Sequence, residues 1–184
     1  MSRQNDKCHG FFEEISDKGQ MILHFLTDKM KASDRTGGKT VMKYVVLVSH
    51  GTFAQGLHSV LKMLAGGERT DVLSAGMEDG MGADVFVERF RETVSPIGNE
   101  DEIILLADII GGSPLTNALD VLAKAGMLER TRAYGGMNLP MALTAALMKD
   151  AVDWDTLEAS MLMESKNAMA RMELNTEEEN EDDI

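Results

Sequence analysis

Two runs of six residues, "KYVVLV" at 43–48 and "EIILLA" at 102–107, constrain the fold more than any other feature of the chain. Neither alternates polar with apolar residues, so a strand built from either must be covered on both faces. Strands of that kind belong to parallel sheets flanked by helices. The intervening stretches supply the helices. Phe53, Leu57, Val60, Leu61 and Leu64 share one stripe of a helix predicted over 53–65, which Gly66-Gly67 stops. Val85, Phe86, Phe90 and Val94 mark a second helix over 82–94, with Pro96 beyond it. A third runs from Pro114 to Ala125 and a fourth from Leu139 to Lys149, with Pro140 in its first turn. A last helix is expected over Thr156 to Met172. "DVLSA" (71–75) and "RTRAYG" (130–135) read as shorter strands. Strand and helix thus alternate four times, and the fold class is α/β. The expected architecture is an open, mainly parallel sheet of about four strands with helices on both faces.

The chain has 184 residues, enough for one sizeable core. Its net charge of -13 repels nucleic acid and anionic membrane, so neither is an expected partner. Cys8 is the only cysteine, which excludes an internal disulfide and a Cys/His metal cluster. No metal or other cofactor is expected. No apolar stretch approaches the roughly 18 residues of a membrane span, and "MILHFL" near the start is too short for a secretory core and contains His24. Direct membrane insertion is therefore not expected, and the reading is cytoplasmic.

Residues 1–41 differ in character, with seven basic and six acidic side chains, whereas the rest of the chain is strongly acidic. Phe11, Phe12, Ile15, Ile22, Phe25, Leu26 and Met30 show a helical period interrupted by Gly19. A helical extension, a disordered leader and sequence translated from upstream of a true start at Met42 compete as readings. The last is favoured, because codons for Gly37-Gly38 can spell a bacterial ribosome-binding sequence at a suitable distance from Met42. The main domain is expected over 42–174. Residues 175–184 read as an acidic, solvated tail, since "TEEENEDDI" holds six acids in nine residues.

In open parallel sheets, sites lie beyond the carboxyl ends of the strands. Three segments qualify: "SHG" at 49–51, "DIIGGSP" at 108–114 and "GGMNLP" at 135–140. In the second, Gly111 and Gly112 allow close backbone approach, Ser113 suits a helix N-cap and Pro114 its first turn. The N–H groups of that turn form an anion site with the helix dipole. Gly-Gly-Ser-Pro is also a sound loop-to-helix junction that needs no ligand. If the first and third strands are neighbours, His50 and Asp108 face each other across one edge. A carboxylate on one ring nitrogen fixes the tautomer and leaves the other nitrogen as a nucleophile or base. A histidine, its aspartate and a backbone anion cradle are the parts needed to accept a phosphoryl group. The G-x-x-x-x-G-K-[ST], G-x-G-x-x-G and G-x-S-x-G patterns are all absent. His58, eight residues after His50, is expected to be solvated on the flank of the first helix, without a role.

"VVLVSHGTFAQGL", "LLADIIGGSPLTNAL" and "GGMNLPMAL" occur in this order at suitable spacing. Together they make Met42 to about Met172 resemble the enzyme IIA component of the mannose (mannose/fructose/sorbose) family of the phosphoenolpyruvate:sugar phosphotransferase system. The resemblance implies a three-layer sandwich and a phosphotransferase activity. It implies that His50 takes a phosphoryl group from phospho-HPr, the small histidine phosphocarrier, and passes it to a histidine of enzyme IIB. The membrane components IIC and IID lie downstream. Asp108 would be the orienting carboxylate, and Gly112 and Ser113 would hold the phosphoryl oxygens beside Gly111. A homodimer is also implied, built partly by exchange of a C-terminal strand, for which "ARMEL" (170–174) is the candidate. Two alternatives share the chemistry: the phosphoryl donor subunit of dihydroxyacetone kinase, and a non-transport signalling domain phosphorylated on His50. A small α/β binding domain without phosphoryl chemistry is the third.

Overall fold

A computed structural model describes residues 41–67 and 69–172. Strand β1 (Lys43–His50) is followed by α1 (Phe53–Leu64), β2 (Val72–Met77), α2 (Ala83–Val94), β3 (Glu102–Ala107) and α3 (Ser113–Lys124). A 3-10 turn at Leu128–Arg130 leads into β4 (Thr131–Gly135), α4 (Leu139–Met148) and α5 (Trp154–Asn167). The four strands form one sheet in the order β2-β1-β3-β4, and every pairing is parallel. The expected α/β architecture is therefore the one observed.

The continuous apolar runs are explained by double coverage. Val45, Leu47, Ile104 and Leu106 face α1, α4 and α5, where they meet Leu57, Leu61, Met141, Ala142, Leu157 and Met161. Their neighbours Val46, Val48, Ile103 and Leu105 face α2 and α3, against Phe86, Phe90, Leu115, Ala118 and Leu122. Strands β1 and β3 are central, and each side chain from Val45 to Val48 and from Ile103 to Ala107 is essentially inaccessible. Burying an aliphatic side chain of this kind contributes roughly 1.5–3 kcal/mol, so the central pair anchors the sheet.

A buried ion cluster closes the amino-terminal edge of the sheet. Lys149, at the end of α4, places Nζ 2.8 Å from Asp71 Oδ2 with its side chain only 2% exposed. Arg69 reaches the same carboxylate at 2.7 Å. Burial would raise the Asp71 pKa, but the hydrogen bonds from Arg69 and Lys149 prevail and hold it at about 2.

Several boundaries differ from expectation. β2 runs on to Met77 because Ser49 and His50 of β1 still pair with Gly76 and Met77. Helix α5 starts at Trp154, where the Asp153 side chain accepts from Thr156 N, and ends at Asn167 rather than Met172. Met169 and Met172 keep apolar spacing but are 72% and 80% exposed, so nothing there rewards a further turn of helix. Residues 170–172 of the expected exchange strand form no strand, and 173–174 lie outside the described residues. The readings of residues 1–41, apart from Val41, and of the tail at 175–184 also lie outside them.

Candidate functional site

Parallel pairing of β1 with β3, with Val48 opposite Ala107, brings the carboxyl ends of the two central strands together. His50 ends β1, and Asp108 directly follows β3. Asp108 Oδ2 accepts two bonds from the same residue, His50 N and His50 Nδ1, each at 2.9 Å. Asp108 Oδ1 accepts from Ile109 N at 2.9 Å. The carboxylate is thus held by two backbone N–H groups while it orients the ring. A carboxylate only accepts, so the ring proton sits on Nδ1 and the Nε2 lone pair is free to react. The His50 side chain is 45% exposed, whereas that of Asp108 is only 16% exposed.

The turn after His50 is fixed by two devices. Gly51 takes the left-handed conformation, φ 57°, and donates to Met77 O at 2.8 Å. Buried Ser49 turns its hydroxyl to the start of α1 and accepts from Ala54 N at 2.7 Å. Thr52 at the N-cap makes no side-chain cap bond, so Ser49 satisfies a helix N–H in its place.

The segment at 108–114 meets the ring from the other side. Gly111 has φ 75° and turns the chain into α3. The N-cap is Gly112, with φ -66° and ψ 155°, and Ser113 is already the first helical residue. This corrects the expected cap at Ser113. Position 112 has no room for a side chain: a Cβ there would lie 2.8 Å from His50 Cε1 and 3.6 Å from Nε2. The N–H of Gly112 is used locally, donating to Ile109 O at 3.3 Å. In the first turn of α3 the N–H groups of Ser113 and Leu115 have no intrahelical partner, and Pro114 has none to offer. Nε2 therefore lies by the positive end of a helix. No lysine or arginine occurs in 49–52, 108–113 or 135–140.

The third segment underlies the second. Gly136 N donates to Asp108 O at 3.1 Å and Met137 N to Ala107 O at 2.9 Å. His50, Asp108, Gly111, Gly112 and Ser113 are thus brought to one sheet edge, as the sequence led us to expect. His58 is a correction. It is half-buried, and its Nδ1 lies 2.9 Å from Ser74 Oγ on β2, where α1 packs over that strand. Among the described residues no group of three or more His, Cys, Asp or Glu gathers where a metal ion could be held, and no helix is long and apolar enough to cross a membrane. Ser49 was not singled out by sequence reasoning, because its cap bond spans a turn whose shape only the fold reveals.

Residues 44–162 match the protein family described as "PTS system fructose IIA component". A fructose-specific EIIA component of the phosphotransferase system from Bacillus subtilis (strain 168) is 26% identical over 106 residues, covering 58% of this chain and 70% of its own length. A mannose/sorbose-specific IIA subunit from Enterococcus faecalis superposes with a TM-score of 0.60 at 26% identity, over 73% of this chain and 98% of that one. A IIA protein associated with the fucose utilization operon of Streptococcus pneumoniae gives the same TM-score of 0.60 at 24% identity, over 73% and 96% of the two chains. Together with the sheet order and the three loops at its carboxyl edge, these likenesses identify the chain as a member of the mannose-family enzyme IIA components of the sugar phosphotransferase system.

Proposed function

We propose that this chain is a phosphocarrier in which His50 Nε2 takes a phosphoryl group from phospho-HPr and passes it to a histidine of enzyme IIB. The observation that carries this reading is the 2.9 Å contact of His50 Nδ1 with Asp108 Oδ2. It leaves Nε2 as the nucleophile beside the amino terminus of α3. In the step, the Nε2 lone pair forms a bond to phosphorus as the P–N bond of the donor phosphohistidine breaks, and that electron pair returns to the donor ring. The proton on Nδ1 stays in place. The phosphorylated ring gains positive character, which the Asp108 carboxylate stabilises. The N–H of Ser113 and the helix end stabilise the phosphoryl oxygens, Gly111 shapes the turn, and Gly112 leaves room for the ring.

The surroundings of His50 support a protein donor and acceptor. Phe53, at the start of α1, and Ile109 and Ile110, in the loop after β3, are 47%, 57% and 79% exposed. Exposed apolar side chains beside a reacting atom suit a docking protein better than a small solute. The relatives' names place them in sugar-specific phosphotransferase systems, and a place in sugar uptake is proposed here, on the cytoplasmic side of IIC and IID. The open edge of β4, the last strand of the sheet, supports assembly as a homodimer.

The test is loading by phosphoenolpyruvate, enzyme I and HPr, followed by intact-mass measurement. The expected result is a gain of one acid-labile phosphoryl group, absent from His50→Ala, that is discharged on addition of a IIB protein. No gain, or a gain that persists in His50→Ala, would overturn the assignment.

A further inference from the structure

Gly135 has none of the roles assigned so far, yet it lies directly beneath the loop that carries Asp108. Gly135 is the last residue of β4. A Cβ placed there would collide with Ile110 Cγ1 and would meet Ile110 N at 2.8 Å and Ile110 Cα at 3.1 Å. Two of these three atoms are backbone, so no rotamer change of Ile110 relieves the contact. The next two residues bond the start of that loop at Asp108 O and the end of β3 at Ala107 O, at 3.1 and 2.9 Å. Ile110 stands two residues from Asp108 and two from Gly112. Whatever displaces its backbone displaces both the carboxylate that orients His50 and the cap that faces Nε2.

We infer that Gly135 is a positioning residue for the phosphoryl site. Its missing side chain lets the 108–112 loop seat on the end of β4, and this seat sets the Asp108–His50 contact. The inference rests on the phosphocarrier reading for its kinetic consequence, but not for its geometric one. An alanine in place of Gly135 would need the backbone at Ile110 to retreat by roughly 0.7 Å to reach ordinary contact. Misplacement approaching 1 Å costs about 100-fold in a positioned reaction.

The experiment compares the full chain with Gly135→Ala and with a destabilised control, Leu157→Val, which thins the core between the sheet and α5. Two quantities are read. The first is the His50 tautomer, from long-range nitrogen–proton NMR at a pH above the ordinary histidine range. The second is the rate of phosphorylation by phospho-HPr, separated into kcat and KM. The expected wild-type tautomer is Nδ1–H. Gly135→Ala should show a mixed tautomer and a kcat at least about tenfold lower at similar KM, whereas Leu157→Val should show only a lower Tm. A Gly135→Ala protein with the wild-type tautomer and kcat overturns the inference. If Gly135→Ala alone fails to fold, adding Ile110→Gly removes the side-chain collision and keeps the backbone one, and the same readouts apply. A wild-type chain that takes up no phosphoryl group defeats the phosphocarrier reading, while the tautomer comparison still decides the role of Gly135.

Discussion

Gly112→Ala isolates the space around the reacting ring from every other property of the site. The backbone at Gly112 has φ -66° and ψ 155°, which alanine adopts freely. Replacing glycine there reduces the freedom of the unfolded chain, a gain of about 0.4–1 kcal/mol that offsets part of any crowding. The new Cβ lies 2.8 Å from His50 Cε1, whereas carbon atoms prefer about 3.5–4.0 Å. Cε1 must therefore give way by roughly 0.7 Å or more. Because Cε1 is bonded to both ring nitrogens, Nδ1 and Nε2 move by a similar amount. Directed along the 2.9 Å bond to Asp108, a displacement of that size would stretch it to about 3.6 Å, beyond hydrogen-bonding range, and in any other direction it misaligns the bond. The expected outcome is a fall of about 100-fold in the rate of His50 phosphorylation, equivalent to about 2.7 kcal/mol of barrier, with Tm changed by only a few degrees. Rapid-quench measurement of acid-labile phosphate, with thermal melts alongside, reads both. Transfer at the wild-type rate would show that the ring does not depend on the space at 112.

Asp108→Asn should slow phosphorylation by at least about tenfold, since its amide can turn the ring but supplies no charge and can reverse the tautomer; a wild-type rate in the same quench assay removes Asp108 from the mechanism. His58→Ala should leave loading at one phosphoryl group and cost about 1 kcal/mol through loss of the Ser74 bond, and a lost phosphoryl group by mass would contradict the site at His50. Asp71 is held at about 2, below its unfolded value, so its contribution to stability is present above about pH 4 and is lost as pH falls through about 2. Melts of wild type and Asp71→Asn should accordingly differ near neutrality and converge as pH falls through that window, and a gap independent of pH would refute the assignment.

What was legible in the sequence was what local pattern and burial dictate. Val45 to Val48 and Ile103 to Leu106 show their double coverage by lacking alternation, whereas the central, adjacent placing of β1 and β3 comes from the fold. Once they are neighbours, His50 and Asp108 must share an edge. What was not legible depends on residues far apart in the chain. Position 112 is closed to a side chain by a ring 62 positions earlier. His58 looked like a surface residue until Ser74 on β2 came beside it. Lys149 is buried despite its charge because Asp71 and Asp150 meet its ammonium group, a pairing that no periodicity announces. The end of α5 was overextended because Met169 and Met172 keep their apolar spacing although both side chains are exposed.

The absence of lysine and arginine from the three loops has a thermodynamic consequence. A fixed cation about 4 Å from a unit negative charge is worth about 4 kcal/mol at the effective dielectric of a protein surface, or nearly a thousandfold in an equilibrium constant. Backbone amides and a helix terminus offer only partial charge. On the proposed function, a phosphoryl group held chiefly by such donors would be stabilised enough to form and too little to be trapped. A relay gains from that balance, because its intermediate must keep enough transfer potential to be handed on, and a tighter grip would turn a way station into a sink.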